Sequence, residues 1–127
     1  MDFPIIHSYT RADAIRDGVL LDISDTAKKF GFKYQVAVTS NLYQTYIVPN
    51  ENLGNSGQTS ESRLELVLAE LYYAIKGLDK HSTRINFKVE FLMDSIKEEF
   101  KEIDIIADCG PGDTLEPVIT IMLPEDD

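Results

Sequence analysis

A short segment near the C-terminal end of the sequence contains three carboxylates and a cysteine, residue types that can bind a cation or act as a nucleophile. Carboxylates suit a hard cation, and a thiolate can attack a carbonyl carbon. The same segment contains Gly110-Pro111-Gly112, which predicts a tight turn with Gly112 at a positive φ. Turn chemistry alone therefore accounts for these residue types. The residues of the candidate ligand or hydrolytic site are Asp108, Cys109, Asp113 and Glu116.

A nucleophile or a metal at this turn would need further residues. The chain has two histidines, His7 and His81, and the sequence places neither of them near Cys109 as a base. No second ligand is spaced for a metal beside either histidine, and a calcium loop is present only in fragments. We therefore predict no metal, no cofactor and no enzymatic activity. A small-molecule-binding or hydrolytic domain centred on the turn is the alternative.

A second set of carboxylates lies in the N-terminal quarter of the chain. Asp13 and Asp17 are four residues apart and share one helix face. Such a pair would suit acid–base catalysis, but Arg11 and Arg16 lie close by, and a compensated charged surface is the alternative. The other carboxylates of this set are Asp22 and Asp25.

The negative charge of the chain is unevenly distributed. The net charge is −10, yet residues 1–89 carry ten acidic and ten basic side chains. Residues 90–127 carry twelve acidic side chains against Lys97 and Lys101. Such a segment repels nucleic acid and anionic membranes and attracts cationic partners. Solubility and protection of strand edges are the alternative role. The predicted partner-binding residues are Glu90, Asp94, Glu98, Glu99, Glu102 and Asp104.

Length and composition predict a single globular domain over residues 1–127, with 43% hydrophobic and 27% charged residues. The one cysteine excludes an internal disulfide and fits a reducing compartment. We expect a cytoplasmic protein, because the chain starts without a signal-peptide pattern and no window is apolar enough to span a membrane. Residues 49–60 are rich in Asn, Gly, Ser and Gln and predict a flexible loop.

The main helical signals lie in the first 80 residues. Capping residues and closing glycines predict short helices over residues 10–18 and 24–31. Between them, the apolar residues 19–23 predict a brief strand or an extended connector. Residues 34–39 form either a strand or the lead-in to a helix over residues 40–47. Leucines at helical spacing predict a long amphipathic helix that is capped by Ser60 or Ser62 and ends at Gly77.

The periodicity changes to two in the C-terminal third. Residues 84–91, 103–109 and 118–123 predict three strands. Residues 94–102 predict a wide hairpin connection or one helical turn, with Ser95 and Glu98 at capping-box spacing. Successive strands with short links form an antiparallel meander. The predicted fold is α+β, with short N-terminal helices and one long amphipathic helix packed on a three-stranded antiparallel β-meander.

Several segments together carry a resemblance to a known group of proteins. They are residues 13–22, residues 36–39, Cys109-Gly110-Pro111-Gly112-Asp113 and residues 116–126. In these segments the sequence resembles a family of small uncharacterised acidic proteins encoded on bacterial plasmids, phages and conjugative elements. The resemblance implies a mobile-element accessory protein and brings no activity with it.

The charge distribution and the resemblance lead to one hypothesis about function. The chain would be a non-enzymatic accessory protein that binds a cationic or nucleic-acid-binding protein through its acidic C-terminal third. Imitation of nucleic acid is one form of this hypothesis, and it requires a dense carboxylate array, since duplex DNA carries one charge per about 1.7 Å. Direct binding of nucleic acid or a membrane is not expected. A homo-oligomer that uses an exposed strand edge is a further hypothesis.

Overall fold

The residues that the structure describes form five strands and four helices of unequal length. The computed structural model describes residues 9–53, 57–78 and 82–127, so His7 and His81 lie outside the described residues. The helices are α1 (Arg11–Arg16), α2 (Ser24–Lys28), α3 (Ser40–Leu42, continued by a π-helical turn over Tyr43–Ile47) and α4 (Ser60–Lys76). The strands are β1 (Leu20–Asp22), β2 (Gln35–Thr39), β3 (Arg84–Asp94), β4 (Glu99–Pro111) and β5 (Pro117–Met122).

All five strands join one mixed sheet in the order β1-β2-β5-β4-β3. β2 runs parallel to β5, with Val36 opposite Ile119 and Val38 opposite Ile121, and the other neighbours are antiparallel. The α+β class is therefore confirmed, but the three-stranded antiparallel meander is wrong. β1 has three residues and carries no periodicity, and a parallel pairing between distant segments leaves no local signal.

The core lies between α4 and one face of the sheet. Alternate residues of β3, namely Phe87, Val89 and Phe91, are 7%, 1% and 0% exposed, because successive strand side chains point to opposite faces. The inner face of the sheet is the face that packs on α4, and the outer face is the opposite one. The residues of α4 buried against the inner face include Leu64, Val67, Leu68 and Leu71.

The helix ends agree with the sequence in most places. The Thr10 side chain accepts a hydrogen bond from the Asp13 N–H and begins α1 as predicted. Gly18, at φ 79°, supplies the positive φ expected at the end of this segment. The N-cap of α4 is Thr59, whose side chain accepts from the Ser62 N–H. The two predicted caps, Ser60 and Ser62, are therefore one and three residues too late.

Two segments that the sequence left open are now defined. Residues 34–47 contain both alternatives in succession, strand β2 and then α3 with its π-helical turn. Within the predicted loop 49–60, Glu51–Leu53 forms a 3₁₀ turn, and residues 54–56 lie outside the described residues. The wide connection predicted over residues 94–102 is wrong, because the two flanking strands continue to Asp94 and from Glu99.

Candidate functional site

The hairpin formed by β3 and β4 extends past the rest of the sheet. β4 pairs with β5 only between Ile106 and Pro111, while its pairing with β3 continues to Phe100 and Glu99. The segment from residue 89 to residue 103, here called the projecting hairpin, is therefore a two-stranded ribbon. Its inner face contacts the body of the protein through Phe91, whose ring stacks on Tyr46 at 5.8 Å.

The six predicted partner-binding carboxylates do not share one face. Glu90 and Glu102 lie directly opposite each other on the outer face, with Asp104 one pair further along opposite Lys88. Asp94 instead accepts hydrogen bonds from the N–H groups of residues 96 and 97, at 3.0 and 3.1 Å, and stabilises the hairpin turn. The other two belong to the tip, with Glu98 in the turn at φ 53° and Glu99 opposite Asp94.

Cations of the same face neutralise part of this charge. The Nζ atom of Lys88 lies 3.3 Å from Glu102 and 3.7 Å from Asp104, and its hydrogen bond to Glu102 raises the pKa of Lys88. Arg84 donates a 2.8 Å hydrogen bond to Asp127. Among the described residues, Glu90, Glu98 and Glu99 make no ion pair, so the uncompensated charge is concentrated at and near the tip.

The tip also exposes apolar side chains that the sequence analysis missed. Ile96 is 92% exposed and Phe100 is 59% exposed. Phe100 lies opposite Leu92 on the outer face, two residues from Glu102 on the same strand. The sequence predicts a wide hairpin connection or one helical turn over residues 94–102 and so assigns Phe100 to no strand face. Its alternation with Glu99 and Lys101 was the available signal.

The four residues of the alternative ligand site are not brought together. Asp108 lies on the outer face, 3.7 Å from Arg84, whereas Cys109 belongs to the opposite face and packs against the core. Asp113 accepts hydrogen bonds from the N–H groups of Arg11 and Ala12, at 2.9 and 3.0 Å. It thereby satisfies the first N–H groups of α1. Each carboxylate of this set has a structural role in place of a shared ligand.

The turn itself differs from its predicted form. Gly112 does not adopt a positive φ, and Leu115 does, at 67°. A Cβ atom at Gly112 would displace the flexible Glu116 carboxylate and stand 3.0 Å from Cγ1 of Val118. Glu116 accepts hydrogen bonds from the hydroxyl and the N–H of Thr114. The Thr114 hydroxyl is the main cause of the lowered pKa of Glu116.

A cleft of about 420 Å³ lies between α1 and this turn. The hydrolytic alternative requires such a concavity, and Asp113 and Glu116 both line it, together with Arg11 and Arg16. The polar groups of the cleft are nevertheless engaged within the protein. The Arg11 guanidinium donates to Thr120 Oγ1 at 2.6 Å and to the Ile119 carbonyl at 2.9 Å. Cys109 does not line the cleft, so the cleft lacks the proposed nucleophile.

The carboxylates of the N-terminal quarter are also engaged locally. Asp13 is 8% exposed, accepts from the Thr10 N–H and lies 2.9 Å from Arg16. This supports the compensated arrangement and not an acid–base pair. In the part of the chain that the structure describes, no three His, Cys, Asp or Glu side chains are placed to hold a metal ion. No helix of that part is long and apolar enough to cross a membrane.

Asp22 gives a testable pH dependence. Burial raises the pKa of Asp22, but hydrogen bonds from Ser24 and Gln35 and the charge of Arg11 together lower it below its ordinary value. A depressed pKa contributes stability above the ordinary aspartate range, near pH 4, that is lost as the pH falls through the folded-state pKa. We expect D22N to be less stable than the wild type at pH 7.

Urea denaturation between pH 2 and pH 7 checks this expectation. The difference between the wild type and D22N should shrink as the pH falls below about 4. D25N is the matched control, because the exposed Asp25 carboxylate makes no hydrogen bond to the described residues. A D22N difference that stays constant over the whole range would contradict the prediction.

Comparison with known proteins gives a family but no characterised relative. The model of a family of unknown function, DUF6573, matches residues 2–127. No curated protein matches the chain, and no solved structure does. The arrangement of the chain's own residues is therefore the basis on which a function can be argued.

Proposed function

The chain belongs to DUF6573, a family of unknown function, and we propose that it is a non-enzymatic protein-binding module. The projecting hairpin binds a partner with a basic surface and an apolar recess. The observation that carries this proposal is the exposed tip, where Ile96 and Phe100 stand beside uncompensated carboxylates. A role as an accessory protein of a mobile genetic element fits such a module and belongs to the same proposal.

The chemistry of the tip suits a cationic partner. Residues 89–103 carry five acidic side chains against Lys97 and Lys101, so the hairpin has a net charge of −3. Opposite charge accelerates the encounter with a basic protein. Exposed aromatic and aliphatic side chains then contribute most of the binding energy, because they become fully desolvated at the centre of an interface. Phe100 and Ile96 provide these anchors.

Imitation of a phosphate backbone is a narrower form of this proposal, and the ion pairs weigh against it. A decoy needs closely spaced, unneutralised charges. Lys88 stands between Glu102 and Asp104, and Arg84 lies beside Asp108 and Asp127. The hydrolytic alternative has less support still, because the polar groups of the α1 cleft are already hydrogen-bonded within the protein. A basic protein is the partner that the tip fits best.

The proposal predicts separate effects of charge and of apolar contact on binding. Capture of a basic partner from the native host should weaken as salt increases, because the charges at the tip are exposed and screened. F100S should reduce binding about tenfold or more at every salt concentration, since it removes an anchor. E98K should reduce binding mainly at low salt. The measurement is capture at two salt concentrations, followed by titration of the captured protein after purification.

Matched controls exist elsewhere on the surface. Leu115 is 82% exposed and lies in the β4–β5 turn, so L115S makes the apolar-to-polar change of F100S away from the hairpin. E125K makes the charge change of E98K in the C-terminal 3₁₀ turn. Binding that survives F100S and E98K, or that falls equally with L115S and E125K, would show that the tip is not the binding surface.

A further inference from the structure

β3 forms one edge of the sheet, and the direction of its main-chain groups can be assigned. The Thr83 carbonyl accepts a 2.6 Å hydrogen bond from the Cys109 N–H, and the register continues two residues at a time through Ile85, Phe87 and Val89. Odd-numbered residues therefore exchange hydrogen bonds with β4. Even-numbered residues direct their N–H and C=O groups away from the sheet.

The two ends of this edge are closed, and its middle is open. At one end the Ser82 hydroxyl bonds to both the N–H and the C=O of Arg84. At the other end the Arg63 guanidinium donates to the Leu92 carbonyl at 3.0 Å. Between them the main-chain groups of Asn86, Lys88 and Glu90 have no hydrogen-bond partner among the described residues. An open stretch of this kind is a template for another strand.

The order of side chains on β3 points to which strand fits. Lys88 and Glu90, which carry opposite charges, lie one residue to either side of Val89. Phe87 and Phe91 lie two residues to either side of it in the same way. An antiparallel copy of β3, centred on Val89, therefore faces Lys88 with Glu90 twice. A lysine on an edge usually discourages pairing, but here each lysine would face a carboxylate.

We propose that two copies of this chain pair through their β3 edges, antiparallel, with a two-fold axis at Val89. The pairing joins two five-stranded sheets into one continuous sheet. Lys88 of each copy exchanges main-chain hydrogen bonds with Glu90 of the other, in a closed two-fold arrangement. The side chains add a second argument. Glu90 lies opposite Glu102 of its own strand pair and makes no ion pair among the described residues, so Lys88 of the second copy supplies its missing cation.

A charge exchange tests the proposal. In an E90K dimer, Lys88 of each copy would lie opposite the lysine at position 90 of the other copy. Like charges directly opposite each other are unfavourable. Within one chain, the same change places an ammonium opposite Glu102, so the fold is retained. Analytical ultracentrifugation of the full chain should show a dimer whose dissociation constant rises about tenfold or more in E90K. The double variant K88E/E90K restores the opposite charges and should return the constant to within about threefold of the wild type.

Controls and contrary outcomes are defined by the same measurement. E125K changes the same amount of charge away from β3 and should dimerise like the wild type. A wild-type chain that stays monomeric, as expected if the edge takes a peptide of another protein instead, overturns the proposal. A dimer that tolerates E90K, or that K88E/E90K fails to restore, overturns it as well. The F100S variant should still dimerise, so this result is independent of partner binding at the hairpin tip.

Discussion

Replacing Arg63 by methionine is expected to lower the free energy of unfolding by about 2–4 kcal/mol. Arg63 is 2% exposed although it lies on α4. Its guanidinium donates to the Tyr46 carbonyl at 2.7 Å, to the Leu92 carbonyl at 3.0 Å and to Gln58 Oε1 at 3.2 Å. It also lies 4.7 Å from the centre of the Phe91 ring. One side chain thus connects α4, the end of the π-helical turn and the edge of β3.

Two opposing terms decide the size of this effect. Burial lowers the pKa of Arg63, which shows that the charged form is held at a cost. Methionine removes that cost and retains much of the contact with Phe91. However, hydrogen bonds from a charged donor contribute roughly 1.5–3 kcal/mol each, and Arg63 makes three. The carbonyls of Tyr46 and Leu92 would lose these partners in the interior, so the loss of hydrogen bonds exceeds the relief of burial.

Urea denaturation of R63M measures the effect, and R16M is its control. The Arg16 side chain is 68% exposed and pairs with Asp13 three residues away on the same helix. Asp13 is buried but keeps its hydrogen bond from the Thr10 N–H, so the loss of the exposed Arg16 should cost about 1 kcal/mol at most. Hydrogen exchange should also show faster opening at the end of β3 in R63M, because the Leu92 carbonyl is released. Equal losses in R63M and R16M would show that Arg63 does not connect these elements.

Arg63 also shows where sequence reasoning stops. Its neighbours Leu64, Val67 and Leu71 form the apolar stripe that predicts α4, and this prediction is confirmed. Arg63 precedes Val67 by four residues, so it lies at the border of the stripe. An arginine in that position is normally solvated. Its burial depends on two carbonyls from segments 17 and 29 residues away, and the sequence carries no local sign of such contacts.

The sheet was predicted in part for the same reason. β3 alternates clearly between apolar and polar residues, and the strand near residues 103–109 is rich in isoleucine, so both were found. Residues 19–23 left a strand and an extended connector open; β1 lies within them, contains three residues and is held by pairing with β2, with Leu21 opposite Val38. β2 is held in the sheet by its parallel pairing with β5. Both strands depend on tertiary contacts that override weak local preference.

The candidate site was also predictable only where local sequence decides and not where tertiary contacts decide. The position of charge along the chain was predictable, because composition is local. Its distribution over faces was not, because the register of β3 and β4 decides that Glu90 and Glu102 lie opposite each other and that Asp94 closes the turn. The apolar tip was missed because Phe100 belongs to a strand that begins four residues earlier than predicted.

Replacing Arg11 by methionine is expected to cost about 2–3 kcal/mol, the second large effect. α1 has six residues, too few to be stable alone, so its contacts with the sheet must hold it in place. The Arg11 side chain bonds to Thr120 and to the Ile119 carbonyl on β5. The main-chain N–H of Arg11 donates a hydrogen bond to Asp113 at 2.9 Å. The same residue is therefore fixed from both sides.

A double-mutant cycle with D113A separates these two connections. D113A alone should cost about 1–2 kcal/mol, as the loss of a helix-capping carboxylate does. Once either connection is lost, α1 is less well ordered and the other contributes less. The double variant R11M/D113A should thus lose less than the sum of the single variants, by about 0.5 kcal/mol or more. Strict additivity would show that α1 is not held as one unit. If D113A is as stable as the wild type, Asp113 does not hold α1 in place. Its carboxylate in the cleft is then free to bind a ligand.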